Sequence, residues 1–309
     1  SGDVAVLAPA GGDAAAALRA PRKLVMFHFS SGLAAAPLAE DPHFMALAGL
    51  APGVVALNRI LGLPEALHKA ALTRSVARAA KACGAAADAW YPRSWCLPQE
   101  AHALREADDG ESCYIMKPNR GSEGDHIYLT YAPPRPWEPL PPTKHAYATQ
   151  AHWVCQRYLP RPCTLDGYKF DLRLYVVITA VDPPRAYLCR GGLARLATVP
   201  YAAPAASNVS TTLMHLTNYS LNRHAAAFVP ADDDRGDRAS KRSAAAAFER
   251  LAADRGVAVE AIWASLDAVA AKTVAALWPE LAFRHRSAFG ASGATRGFHL
   301  VGLDVLLDE

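Results

Sequence analysis

The order of apolar and polar residues divides this chain into many short strands and a few helices. The clearest stretch runs from 166 to 179, Asp-Gly-Tyr-Lys-Phe-Asp-Leu-Arg-Leu-Tyr-Val-Val-Ile-Thr. Side chains of a strand alternate between its faces. Lys169, Asp171, Arg173 and Tyr175 therefore share one face, and Phe170, Leu172, Leu174 and Val176 the other. The continuation from Tyr175 to Val181 reads as a strand buried on both faces. Further strands are expected over 23–29, 114–117, 127–130, 152–159, 186–190, 193–197 and 298–307, with an extended aromatic segment over 90–98. Helical patterns cover 64–82, 240–255 and 259–277. In the first, Pro64 sits in the opening turn and Gly84 lies just past the end. In the last, Ile262, Leu266, Val269 and Leu277 fall near one face. Residues 1–20 are rich in Gly and Ala and are expected to carry little order. A proline-rich linker over 132–142 and a charged loop over 231–238 punctuate the rest. Strands in a turn-joined meander with segregated helices predict an α+β fold.

Composition narrows the function classes more than the fold. The chain has 309 residues, of which 51% are hydrophobic and 20% charged, as in an ordinary globular protein. A net charge of +3 is too small to point to nucleic acid. The six cysteines are scattered without a C-x-x-C pair, so reduced, mostly buried thiols in a cytosolic protein are expected. No apolar run is expected to span a membrane, and the N-terminus lacks a signal-peptide pattern.

Four features carry chemistry. Lys117 ends a strand and leads into a loop holding Gly121 and Gly124, whose backbone amides can approach phosphate oxygens closely. The loop matches neither a P-loop nor a dinucleotide fingerprint, and alone it reads as a surface hairpin. The Lys169, Asp171, Arg173 face is stronger: three charges on one side of a hydrophobic strand suit a ligand that is itself multiply charged. A nucleoside triphosphate with its metal ion fits. His215-Leu-Thr-Asn-Tyr-Ser220 offers hydrogen-bonding side chains at nearly every position. Asp304 is a carboxylate inside an apolar strand, which burial penalises unless it is paired or binds metal. Magnesium is held by one or two carboxylates together with substrate phosphates.

Taken together, these strings resemble the tubulin tyrosine ligase-like family, and its polyglutamylase branch in particular. The matching residues are Ala56-Leu-Asn-Arg-Ile60, Pro92-Arg-Ser-Trp-Cys-Leu-Pro98, Ile115-Met-Lys-Pro118, Gln156-Arg-Tyr-Leu159 and Gly167-Tyr-Lys-Phe-Asp-Leu-Arg-Leu-Tyr175. They continue in Asp182-Pro-Pro-Arg185, Gly192-Leu-Ala-Arg-Leu196, Met214-His-Leu-Thr-Asn-Tyr-Ser220 and Gly302-Leu-Asp-Val-Leu-Leu-Asp-Glu309. The resemblance implies an ATP-grasp-like fold of mainly antiparallel sheets, with ATP and Mg²⁺ between two α+β lobes. The domain would span 21–309, as lobes of about 21–105, 106–160 and 161–309. The reaction it implies is ATP-dependent addition of glutamate to glutamate side chains of acidic tubulin tails, through an acyl phosphate. Carried over by position, Lys117, Glu123, Gly124, Gln156, Arg157, Tyr158, Leu159, Lys169, Phe170, Asp171, Thr217 and Asn218 would bind ATP. Arg195, Tyr219, Ser220 and Lys241 would hold the incoming glutamate, with Arg195 and Lys241 as the catalytic pair, and Asp304 would bind magnesium. Guanidinium grips carboxylate bidentately, which suits a dicarboxylic amino acid.

Two departures shape the expectation. Glu123, Asp125 and His126 add negative charge or bulk where phosphates would sit. The family's Leu-Leu-Glu-Val-Asn strand, which completes its metal site, would follow Glu309, so the domain is expected to be incomplete at its end, with little or no ligase activity as it stands. A catalytically impaired microtubule-binding relative, or a glycine or tyrosine ligase, are the alternatives. The resemblance further implies a monomer that binds microtubules and free glutamate but neither nucleic acid nor membrane, in the cytoplasm and cytoskeleton, including the cilium or basal body. Arg185, Arg190, Arg223 and Arg284-His-Arg286 are candidate contacts for an acidic tail.

Overall fold

The computed structural model describes residues 58–84, 90–121, 124–136, 138, 140–141, 152–231, 238–288 and 297–309, with the backbone of 3–6, 24–29, 54–57 and 289. Glu123, most of 1–20 and 232–237 of the charged loop lie outside them. Within 1–20, however, Asp3–Val6 forms strand β1, antiparallel to β2 (Leu24–Phe29). β2 runs parallel to β3 (Val54–Leu57). The chain divides into two compact units. One comprises Ser1–Ala66, Val176–Tyr187 and Leu277–Val301; the other Leu67–Tyr175, Leu188–Ala276 and Gly302–Glu309. This division does not follow three consecutive lobes, because single long elements contribute residues to both units. The candidate site lies wholly in the second unit.

The helical pattern over 64–82 resolves into α1 (Leu63–Ala66) and α2 (Lys69–Cys83). The Asn119 side chain accepts from the Ala70 amide at 2.9 Å, satisfying a donor that the first turn of a helix leaves unpaired. A four-stranded antiparallel sheet follows, in the order β4 (Ser94–Leu97), β7 (Trp153–Arg157), β5 (Tyr114–Pro118) and β6 (Tyr128–Thr130). Its Trp95, Leu97, Tyr114, Met116, Trp153 and Cys155 pack with Ala101 and Leu104 of α3 (Ala101–Ala107). Alternation then turns Ile115, Lys117, Gln156 and Tyr158 to the opposite side.

The second sheet runs β11 (Lys241–Ser243), β10 (Arg185–Leu196), β9 (Tyr168–Ala180) and β12 (His299–Val305), with β8 (Thr164–Leu165) paired to β9. β8 and β9 are joined by Asp166 at φ 51° and Gly167 at φ 82°, a two-residue turn with both central residues left-handed, which Asp-Gly favours. Arg242 holds the Asp166 carboxylate at 2.6 Å. The even-numbered residues of β9, Phe170, Leu172 and Leu174, enter a cluster with Ala194, Leu196, Ala247, Phe248, Leu251, Ile262, Leu266 and Val305. That cluster seats α6 (Ala244–Arg255) and α7 (Val259–Phe289) on the sheet, after the single-turn helices α4 (Thr212–His215) and α5 (Tyr219–Asn222).

Three expectations change here. β9 is doubly buried over Lys169–Leu172, where Lys169 and Asp171 are, and alternates between buried and half-buried positions from Tyr175 to Ile178. α7 runs through Pro279 to Phe289, beyond the 277 at which a proline boundary would stop it. By length and composition α7 is also apolar enough to cross a membrane, contrary to the reading of the sequence, although its Ile262 and Leu266 are spent on the core cluster. The six cysteines are free, four of them buried.

Phe248 is fully buried and meets Trp263 edge-on at 5.1 Å. Phe248→Ala is expected to lower stability by about 3–5 kcal/mol, read from the urea midpoint; a loss below about 1 kcal/mol would contradict this packing.

Candidate functional site

The site is built where the charged face of β9 meets the inner face of the four-stranded sheet. Lys169 extends from β9, is 3% exposed, and donates to the Tyr158 hydroxyl at 2.8 Å and the His215 carbonyl at 2.9 Å. Lys117 extends from β5 and donates to the Gln156 side-chain oxygen at 2.7 Å. Gln156 is fixed in turn by Ser94, its amide donating to that hydroxyl at 2.8 Å. Every one of these acceptors is neutral. Among the described residues neither lysine forms an ion pair. Burial, followed by repulsion from Lys69, brings Lys117 down to about 8. Burial, followed by repulsion from Lys117, brings Lys169 down to about 7. Attraction from Asp304 on Lys117 and from Asp171 on Lys169 opposes this lowering without offsetting it, and a polyanion would relieve the remaining cost.

Lys69 is a site residue that the sequence reading missed. It opens α2 and donates to the Gly121 carbonyl at 3.0 Å, which fastens the glycine loop beside Lys117. Gly124 in that loop has φ 84°, and a Cβ there would stand 2.7 Å from a Leu221 methyl and 3.1 Å from the Asn218 side chain. Only glycine satisfies both the backbone and the space. Asp125 and His126 are surface neighbours, 3.9 Å apart.

The carboxylates are already engaged. Asp171 is gripped at both oxygens by the Arg195 guanidinium, through Nε at 2.9 Å and through Nη2. Burial raises the Asp171 carboxyl, and the Arg195 contacts oppose that rise. Asp304 is held by Nε of Arg173, by Nη2 of Arg173 at 3.0 Å and by Nη2 of Arg195 at 3.1 Å. Partial burial pushes the Asp304 carboxyl up, the two guanidiniums pull it down, and the net position is below the usual value. Arg173, Asp304, Arg195 and Asp171 thus form one alternating chain of charge.

That chain bears on which groups the site accepts. The lysine pair fits the phosphates of a nucleotide. The carboxylates do not fit a magnesium ion as arranged, since Asp171 and Asp304 each face guanidinium. Among the described residues no cluster of three or more His, Cys, Asp or Glu side chains could hold a metal. In the free protein Asp304 is a counter-ion for Arg173 and Arg195.

The remaining expected residues divide. Phe170 does not join the site, because alternation along β9 places it in the hydrophobic cluster. Arg157 turns outward to Asp109 at 2.8 Å, while Tyr158 faces Lys169 and Leu159 follows it half-buried. Arg195 and Lys241 are directly opposed across β10 and β11, so their side chains are neighbours on one face. Lys241 stands 5.1 Å over the Tyr219 ring. Thr217 is buried, and Asn218 and Ser220 are half-buried. Asn222 locks this segment: it accepts from the Thr198 amide and hydroxyl at 2.9 and 2.8 Å, and donates to the carbonyls of Leu216 and Asn218 at 2.8 and 3.1 Å. Arg190, Arg284 and Arg286 are in local ion pairs with Asp267, Glu280 and Asp182.

Truncating Arg195 strands a buried carboxylate, whereas truncating Arg173 releases a half-exposed one. Arg195→Ala is therefore expected to cost about 3–5 kcal/mol of stability, and Arg173→Ala about 0–1 kcal/mol. Denaturant titration of both variants checks the order, and equal losses would contradict it.

The model of the tubulin-tyrosine ligase family matches residues 51–309. The chain is 36% identical to the tubulin polyglutamylase TTLL11 of Homo sapiens over 262 residues, covering 81% of this chain and 35% of that protein. It is 34% identical to the tubulin polyglutamylase ttll6 of Danio rerio over 260 residues, covering 82% and 31%. To TTLL6 of Homo sapiens it is 31% identical over 256 residues, covering 82% and 27%. The chain spans about a third of the length of these curated relatives.

Proposed function

Because the chain belongs to the tubulin-tyrosine ligase family, we propose that it is an ATP-dependent ligase adding glutamate to glutamate side chains of tubulin tails. The observation that carries this reading is the pair of inward-facing lysines, Lys117 half-buried and Lys169 buried, which hydrogen-bond only neutral acceptors among the described residues. In the proposed reaction a carboxylate oxygen of the tail bonds to the γ-phosphorus of ATP, and the bond to ADP breaks. The neutral amino nitrogen of glutamate then attacks the acyl carbon, phosphate leaves, and the proton lost from nitrogen passes to the departing phosphate or to water. Phosphoryl transfer asks mainly for positioning and charge neutralisation. Lys117 and Lys169 neutralise phosphate oxygens, Gly124 lets the loop backbone approach, and Thr217 and Asn218 border the nucleotide. Lys241, beside Arg195 and over Tyr219, holds a glutamate carboxylate, with Ser220 next to it. In the free protein Asp304 is engaged by Arg173 and Arg195 rather than open to a metal ion.

The same reading has the chain act as a monomer on the microtubule cytoskeleton of the cytoplasm, including the cilium or basal body. A second reading, a microtubule-binding relative with impaired catalysis, is favoured by the engagement of Asp304. Glycine or tyrosine as the amino acid would require a site without the second carboxylate that Lys241 addresses.

Incubation with tubulin, ATP and a panel of labelled amino acids separates these readings. Incorporation of glutamate alone, lost in Lys117→Ala, is expected. Nucleotide binding without incorporation would favour the second reading.

The lysines also give a pH signature. In the free protein they titrate near 8 and 7, below the ordinary 10.5, so the unfolded chain binds more protons above neutrality. Stability of the free protein should rise with pH from about 7 towards 10.5. Bound phosphates restore the charge, so ATP binding at pH 8.5 should take up about one to two protons, and none near pH 5.5. Calorimetry in buffers of different ionisation enthalpy measures this directly, and proton release at pH 8.5 would contradict it.

A further inference from the structure

His215 takes no part in the reaction above, and the sequence reading left it outside the site. Its side chain is 1% exposed and stands edge-on to two tyrosines, with ring centroids 5.6 Å from Tyr158 and 6.0 Å from Tyr201. Its Nε2 lies 3.2 Å from the Asn208 carbonyl and 3.3 Å from the Asn208 side-chain oxygen. Both are acceptors, so Nε2 carries the ring proton. Nδ1 is then a lone pair, 3.1 Å from the Tyr158 hydroxyl, and that hydroxyl must donate to it. The direction leaves the Tyr158 oxygen as the acceptor for Lys169 at 2.8 Å. The Tyr201 hydroxyl, which also contacts the Tyr158 hydroxyl, gives its own proton to the Pro160 carbonyl at 2.8 Å and so does not supply Nδ1.

The hydrogen bonds therefore run in one sense, from Lys169 to Tyr158, to His215, to Asn208. Lys169 also donates to the backbone carbonyl of His215 at 2.9 Å. An ammonium has three N–H groups in tetrahedral array. With two of them fixed by Tyr158 and His215, the direction of the third is determined.

We propose that His215 is a positioning residue for Lys169, holding the Tyr158 hydroxyl as an acceptor so that the remaining N–H of the ammonium is aimed at the nucleotide phosphates. The proposal rests on the nucleotide reading above and deepens it. A hydrogen bond to a charged group carries more than one between neutral groups, so misdirecting it should be felt by the phosphates and not by the base.

The test compares binding of ATP and of adenosine to the full chain by calorimetry. His215→Phe keeps a ring with its edge-on contacts and removes the acceptor. It is expected to weaken ATP by about tenfold and adenosine by less than about twofold. His215→Asn, whose amide oxygen can take the place of Nδ1, should recover most of the loss. Tyr158→Phe keeps every aromatic contact and carries the same expectation, so the test stands even where His215→Phe fails to fold. The double variant His215→Phe with Tyr158→Phe should bind ATP no more weakly than Tyr158→Phe alone. Unchanged ATP affinity, equal losses for ATP and adenosine, or additive losses in the double variant would overturn the proposal. The nitrogen resonance of the Lys169 ammonium in the free protein gives a readout independent of nucleotide. It should shift in His215→Phe, and an unmoved resonance would overturn the relay. If the unaltered chain binds no ATP, the nucleotide reading falls, and the Lys169 resonance still decides the relay.

Discussion

The hydrogen bond from Lys169 to Tyr158 joins the two sheets of the larger unit where both present polar side chains. Lys169 comes from β9 and Tyr158 from the end of β7. The bond exists because β9 commits its even-numbered residues to a hydrophobic cluster, which forces Lys169, Asp171 and Arg173 onto the opposite face. Burying that face would be prohibitive for isolated charges. Asp171 and Arg195 solve the problem by pairing with each other, and Arg173 pairs with Asp304. Lys169 and Lys117 receive only neutral acceptors, which leaves positive charge directed into the site.

This arrangement divides the work between rigid and adjustable parts. Asn222 makes four hydrogen bonds from a position 1% exposed, so the segment carrying Thr217 and Asn218 is held by a fully satisfied buried amide. Gly124 packs directly against that segment, and Lys69 ties the same loop to the start of α2. The glycine loop is thus fastened from both sides. The lysines, by contrast, sit near neutrality in their titration, so a modest change of field changes their charge. Groups poised in this way cluster at functional sites.

What the sequence reveals follows from how local each physical cause is. Alternation along 166–179 is local, and it correctly separated Lys169 and Asp171 from Leu172. The same rule argues against Phe170 as a nucleotide contact, and the structure places that ring in the core. Partners across strands are not local: Arg195 meets Asp171 at a separation of 24 residues, and Arg173 meets Asp304 at 131. Without those pairings Asp304 reads as an open metal ligand. Lys69 hides in the polar face of a helix, where a lysine is ordinary, and His215 hides in a polar string where every residue looks equally able to bind. The outer half of β9 reads as doubly buried because its residues are apolar, yet nothing in an isolated strand specifies how many neighbours cover it.

The account stands or falls on where a triphosphate sits. A crystal structure of the chain with a non-hydrolysable ATP analogue measures this most directly. The account requires phosphate oxygens within about 2.7–3.2 Å of the Nζ atoms of both Lys117 and Lys169, with the Tyr158 hydrogen bond to Lys169 retained. An analogue bound elsewhere, with both lysines still held only by Gln156, Tyr158 and the His215 carbonyl, would contradict it.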